Sequence, residues 1–139
     1  MWPFRRGPKA ARREQPLGPR GEKLAARHLR RLGLKILARN YRCPAGEADI
    51  IALDRSIRAD RDAETIVFVE VKARRSDRHV APESAVNPKK RRQLARVAEY
   101  YLAHHPAEDY EVRFDVVAVI AAADGKPEIR HTVDAFAPT

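Results

Sequence analysis

The sequence predicts a single mixed α/β domain whose elements run α-β-β-β-α-β. Three observations carry that reading. Two segments repeat apolar residues at helical spacing. Two others, around Ile66–Val71 and Val112–Ile120, are apolar on both faces, as central strands covered on both sides must be. One helical segment lies between those two strands. At 139 residues, 44% of them hydrophobic, the chain has enough apolar mass for one core and too little length for two ordinary domains.

In residues 1–20, Arg5, Arg6, Lys9, Arg12, Arg13 and Arg20 stand against a single acid, Glu14. Pro3, Pro8, Pro16 and Pro19 oppose a continuous helix there. This stretch reads as a flexible basic arm, either touching phosphates nonspecifically or simply solvated. The folded domain then spans 21–139. From Gly21, Leu24, Ala25, Leu29 and Leu32 recur at helical spacing, and Gly33 is a stop. Lys35–Arg42 alternates in part (Ile36, Ala38) and reads as a first strand. Cys43-Pro44-Ala45-Gly46 is turn chemistry. Glu47–Leu53 and Thr65–Ala73 are further strands, separated by a polar stretch.

A charged loop over 74–87, read as mobile, leads to a second helix opened by Pro88, since proline suits a first helical turn. Its apolar stripe is Leu94, Val97, Ala98 and Tyr101, and His104-His105-Pro106 ends it. Val112–Ile120 is a strand and Asp124-Gly125 a turn, and Glu128–Phe136 is a candidate for an edge strand beyond that order.

Charged residues make up 34% of the chain and the net charge is +9. Such an excess favours polyanions, nucleic acid before an anionic membrane surface. The single cysteine, Cys43, excludes an internal disulfide and a multi-cysteine zinc site. A lone thiol fits a reducing compartment. No apolar run approaches the ~18 residues of a membrane helix, and Met1–Pro8 lacks the apolar stretch of a signal peptide. The expected location is the cytoplasm, with no membrane partner. No glycine-rich phosphate loop or serine-nucleophile motif is present, which argues against nucleotide and serine hydrolysis.

The chemistry concentrates on two strands. In Ile66–Lys72, Val67, Val69 and Val71 take one face, and Ile66, Phe68, Glu70 and Lys72 the other. In the preceding strand, Ala48, Ile50 and Ala52 take one face, and Glu47, Asp49, Ile51 and Leu53 the other. An antiparallel register that opposes Leu53 to Ile66 also opposes Ile51 to Phe68, Asp49 to Glu70 and Glu47 to Lys72. Opposed side chains lie ~5 Å apart at Cβ, where like charges repel. Two carboxylates so placed ask for a cation.

Asp49 and Glu70 suit Mg²⁺ or Mn²⁺, hard ions that keep waters and accept phosphate oxygens. Lys72 shares the face of Glu70 and is placed to orient a water or to stabilise developing charge. The carbonyl of Val71 would complete the coordination. The plain alternative is an ion-paired sheet end, with a Glu47–Lys72 bridge across the strands.

Five blocks in order carry a family resemblance: Gly21-Glu22-x-x-Ala25, Arg39-Asn40-Tyr41-Arg42, Gly46-Glu47-x-Asp49, Phe68-Val69-Glu70-Val71-Lys72 and Arg113-Phe114-Asp115-Val116-Val117. Together they resemble the YraN-like family of small bacterial proteins, over about residues 18–136. That family is similar to the PD-(D/E)XK nuclease-like superfamily and, distantly, to archaeal Holliday junction resolvases.

The resemblance implies a restriction-endonuclease-like core, a mixed central sheet flanked by helices. It matches Asp49 to the motif aspartate and Glu70 and Lys72 to the E-x-K. It also brings Glu22, on the first helix, into the metal site. Ala73 follows the lysine where threonine is common, and His79-Val80-Ala81 stands where an aromatic-glycine pair is usual.

Lys89, Lys90, Arg91 and Arg92 place four cations against the dipole of the second helix. A phosphate docking at that N-terminus would explain them, as would a solvated basic turn. Gln93 is a candidate to face the same cleft. Asp115, in an otherwise apolar strand, is either a supporting carboxylate or the partner of Arg113. His28, His79, His104, His105 and His131 show no metal-ligand spacing, and Cys43 reads as structural.

The expectation is therefore a Mg²⁺- or Mn²⁺-dependent nuclease on DNA rather than RNA, branched DNA included. A symmetric junction substrate would imply a homodimer. The alternative is a nucleic-acid-binding protein that keeps the fold without catalysis.

Overall fold

The computed structural model describes residues 17–56, 64–75, 86–105, 110–121 and 125–137. They form helix α1 (Leu17–Arg31), strands β1 (Lys35–Cys43), β2 (Gly46–Asp54) and β3 (Thr65–Arg75), helix α2 (Pro88–His104), and strands β4 (Glu111–Ala121) and β5 (Glu128–Thr132). The strands make one five-stranded sheet in sequential order. β3 and β4 are parallel, joined through α2, and the other neighbours are antiparallel. The helices cover opposite faces, giving the restriction-endonuclease-like core that the motifs imply.

β3 decides the layering. Ile66 and Phe68 pack toward α2 with Leu94, Val97, Ala98 and Tyr101. Val67 and Val69 pack toward α1 with Ala25, Ala26 and Leu29. Each of the larger side chains contributes about 1.5–3 kcal/mol when fully buried, so the strand is held from both sides.

Helix α1 starts at Leu17, inside the stretch read as a flexible arm. Pro19 is tolerated because the N–H groups of a first turn have no intrahelical acceptor. The helix ends as its glycine requires. Gly33 takes φ +94°, Leu34 N donates to Leu29 O at 3.0 Å, and Gly33 N to Arg30 O at 2.9 Å, the paired bonds of a Schellman stop. Leu32 thereby leaves the buried stripe assigned to it and is 56% exposed.

Helix α2 follows its pattern. Asn87 Oδ1 accepts the Lys90 N–H at 2.9 Å, Pro88 opens the first turn, and the buried residues are Leu94, Val97, Ala98 and Tyr101. His105 caps the end, its N–H donating to Tyr101 O.

The β2–β3 register is the expected one, with Leu53 opposite Ile66 and Ile51 opposite Phe68. The faces of β2 are not. Ala48 packs on the α2 side and Ile50 on the α1 side, although strict alternation would put both on one face. β1 behaves likewise, with Ile36 and Ala38 on opposite sides of a register shift. β5 ends at Thr132, short of Phe136, whose ring instead stacks on Phe114. Residues 1–16, His79-Val80-Ala81, Pro106 and Asp124 lie outside the described residues.

Candidate functional site

Both helices begin at the end of the sheet where β3 finishes. A Cβ at Gly21 would lie 3.7 Å from the Cβ atoms of Ala73 and Val119, which places the start of α1 there. Lys90 Nζ, in the first turn of α2, lies 3.9 Å from Glu70 Oε1. Asp49 comes to the same place from β2. The ladder pairs run Ile50↔Val69 and then stop, and Asp49 Oδ2 accepts the Val71 N–H at 2.8 Å.

The two carboxylates perturb one another. Burial raises the pKa of Asp49, against the Val71 N–H and the charge of Lys90, which favour its ionised form. Burial also raises Glu70, and the negative charge of Asp49 adds to it; Lys90 and Lys72 pull it back. Glu70 Oε2 meets Lys72 Nζ at 3.1 Å. Glu70 Oε1 is buried with no hydrogen-bond partner, because Lys90 at 3.9 Å is beyond hydrogen-bond reach. A buried acceptor left without a donor costs ~1–3 kcal/mol, and a hard cation would satisfy it.

Glu22 is half-buried at the start of α1. Burial and the charge of Asp49 raise its pKa, while a hydrogen bond from the Asn40 side chain and the charge of Arg39 lower it. Among the described residues no group of three His, Cys, Asp or Glu side chains gathers as a metal cage. The donor set fits Mg²⁺ or Mn²⁺ all the same. Such ions commonly use one or two carboxylates and fill the remaining positions with water and substrate phosphate. Asp49 and Glu70 would be that pair, with Glu22 near enough to Asp49 to feel its charge.

Asn40, which the second of the five blocks contains without a role of its own, proves to be part of the site. It takes φ +52° in the middle of β1, a conformation that asparagine adopts more readily than most residues. In the β1–β2 ladder it falls between Arg39↔Ile50 and Tyr41↔Ala48, across from Asp49. An asparagine inside an otherwise regular strand was the available signal.

The α2 cluster divides. A cavity of about 300 Å³ is lined by Asn87, Lys89, Lys90, Gln93 and Arg96. Arg92 is exposed beside it. Arg91 is not part of it: its Nε donates to Val86 O at 2.8 Å and its guanidinium lies 5.2 Å from the centre of the Phe136 ring. Arg91 is thereby engaged at the start of the helix. Gln93 packs against the β1–β2 turn, where a Cβ at Gly46 would sit 2.5 Å from Gln93 Nε2.

The Glu47–Lys72 bridge does not form. Glu47 Oε1 pairs with Arg42 Nε at 3.4 Å, and Lys72 with Glu70. Asp115 takes the second of its two readings. Fully buried, it accepts from Arg113 Nε at 2.8 Å and Nη2 at 3.0 Å, from the Asp134 N–H at 3.0 Å, and lies 2.8 Å from His131 Nε2. Burial works upward on Asp115, yet the hydrogen bonds outweigh it and hold its pKa down. Arg113 also reaches Asp54 Oδ2 at 3.0 Å, and His131 Nδ1 lies 3.2 Å from His28 Nε2.

No helix among the described residues is long and apolar enough to cross a membrane. Residues 21–119 match the uncharacterised protein family UPF0102. A UPF0102 protein of Geobacter sulfurreducens is 43% identical over 120 residues, covering 86% of this chain and 88% of that protein. One from Syntrophus aciditrophicus is 45% identical over 108 residues, covering 78% and 79%. One from Nocardia farcinica is 43% identical over 123 residues, covering 88% and 91%. With the family match and these relatives in agreement, the chain belongs to the uncharacterised protein family UPF0102, the YraN family to which its five blocks pointed.

Proposed function

We propose that this protein is a Mg²⁺- or Mn²⁺-dependent nuclease acting on DNA phosphodiester bonds, branched DNA included. The observation that carries the reading is Glu70 Oε1, buried without a hydrogen-bond partner and close enough to Asp49 for the two charges to repel. Asp49 and Glu70 would hold the ion, with Glu22 assisting from α1 and the Val71 carbonyl as a further ligand. A bound ion of this class lowers the pKa of a coordinated water and neutralises charge on the phosphoryl group.

The chain's own residues supply the rest. The Val71 N–H fixes the rotamer of Asp49. Lys72 holds Glu70 Oε2 and leaves Oε1 for the ion; from there its ammonium orients the attacking water. Lys89, Lys90 and Gln93 line the cavity beside the pair and suit a substrate phosphate. A binding protein without catalysis is the competing reading, and the 3.1 Å Lys72–Glu70 pair favours it, since ion pairing alone accounts for that contact.

The test incubates the protein with duplex, single-stranded, flapped and four-way-junction DNA in Mg²⁺, Mn²⁺ or EDTA, beside Glu70→Gln. Cleavage that needs both the metal and Glu70 supports the enzyme. Binding without cleavage on every substrate would move the assignment to the binding protein.

A further inference from the structure

From Arg20 to Arg31 every exposed position of α1 is a cation: Arg20, Lys23, Arg27, Arg30 and Arg31. At 100° per residue they fall within an arc of about 100° and span about 16 Å of helix axis. The opposite side, Ala25, Ala26 and Leu29, is fully buried against the sheet. None of the five cations has an ion-pair partner among the described residues. The exposed side of α2, by contrast, mixes Arg92 and Arg96 with Glu99.

Like charges three and four residues apart destabilise a helix, so a line of them asks for a polyanion outside. An anionic membrane is a poor occupant. A helix lying on a membrane inserts its apolar face, and the apolar face of α1 is already filled by the sheet. A phosphate backbone needs only the cations. The stripe begins where α1 meets the end of β3, at Gly21 against Ala73, and lies on the opposite face of the sheet from Lys89 and Lys90.

We infer that α1 is a second backbone-binding surface, holding a flank of the nucleic acid away from the bond placed at Asp49 and Glu70. This rests on the nucleic-acid reading above, though not on catalysis. Two separate cationic faces then grip two stretches of phosphate backbone.

The experiment measures binding of a fluorescent 30-base-pair duplex in EDTA over a range of salt concentrations. It compares the wild type, Lys23→Gln/Arg27→Gln/Arg30→Gln and Lys89→Gln/Arg92→Gln. The first variant should bind at least about tenfold more weakly, with the salt slope reduced by roughly 0.9 for each phosphate it no longer neutralises. A charge-keeping variant, Arg27→Lys/Arg30→Lys, should bind like the wild type.

Unchanged affinity and slope in the α1 glutamine variant, with the α2 variant weakened, overturn the inference and leave the nucleic-acid reading standing. Equal weakening of the charge-keeping variant also overturns it. No duplex binding by the wild type overturns both. Binding to phosphatidylserine vesicles that needs the α1 cations, with duplex binding intact in their absence, assigns the surface to a membrane instead.

Discussion

Asp49 Oδ2 accepts the N–H of Val71 at 2.8 Å, a side chain taking a strand's amide where β2 and β3 cease to pair. This bond leaves a half-buried carboxylate where the two strands part, near enough to Glu70 for its charge to be felt there. It also fixes the side-chain direction of Asp49, as a preorganised site would require.

Removing that carboxylate should abolish metal binding without unfolding the chain. Mn²⁺ should raise the melting temperature of the wild type and leave that of Asp49→Asn unchanged. An ion that binds the native state alone stabilises it by RT ln(1 + [L]/Kd), about 2.7 kcal/mol at a hundred times Kd. Thermal melts with and without Mn²⁺ decide the point; an undiminished shift in Asp49→Asn would place the ion elsewhere.

Glu70 is held in a state that folding alone would not choose. Burial and the charge of Asp49 both raise its pKa, so at neutral pH its ionised form opposes folding. Without metal, Glu70→Gln should therefore stabilise the protein, by on the order of 1 kcal/mol. Urea unfolding at pH 7 in EDTA measures it. A less stable Glu70→Gln would mean that the Lys72 and Lys90 pairs outweigh the repulsion.

Asp115 should behave in the opposite sense. Its substitution by asparagine removes the two-point acceptor of the buried Arg113 and leaves it Asp54 alone as a carboxylate partner, a loss of about 1.5–3 kcal/mol. The hydrogen bonds depress the folded pKa of Asp115. Its contribution is thus complete above the ordinary aspartate value, ~3.9, and lost as pH falls through the lower folded one. The gap between wild type and Asp115→Asn should stay wide from pH 7 to about 5 and narrow below roughly pH 4. Urea titrations across that range test it.

Gly46 joins the β1–β2 turn to α2. Its φ of +139° and the 2.5 Å approach of Gln93 Nε2 to a built Cβ predict that Gly46→Ala loses stability, by at least about 1 kcal/mol. Adding Gln93→Ala should recover only part of the loss, because it relieves the contact and not the backbone strain. Full recovery in the double variant would show that the backbone tolerates alanine there.

The sequence by itself determined the element order as far as β4, the two-sided burial of β3 and β4, the α2 stripe and the register of Leu53 with Ile66. Those follow from local periodicity, from proline and glycine positions, and from the matching of apolar residues across two strands. It also singled out Asp49, Glu70 and Lys72, because charges at the end of an apolar strand are costly and therefore informative.

The tertiary structure decided what periodicity cannot carry. Asn40 takes a left-handed conformation and β1 shifts register after Ile36, and Ala48 and Ile50 of β2 part to opposite faces around Asp49. Arg91 was indistinguishable from its neighbours in sequence until Val86 and Phe136 claimed its guanidinium. Asp115 had two readings until Arg113 and His131 closed on it. Each outcome depends on which distant atoms meet, and a pattern of residue types along a chain does not specify that.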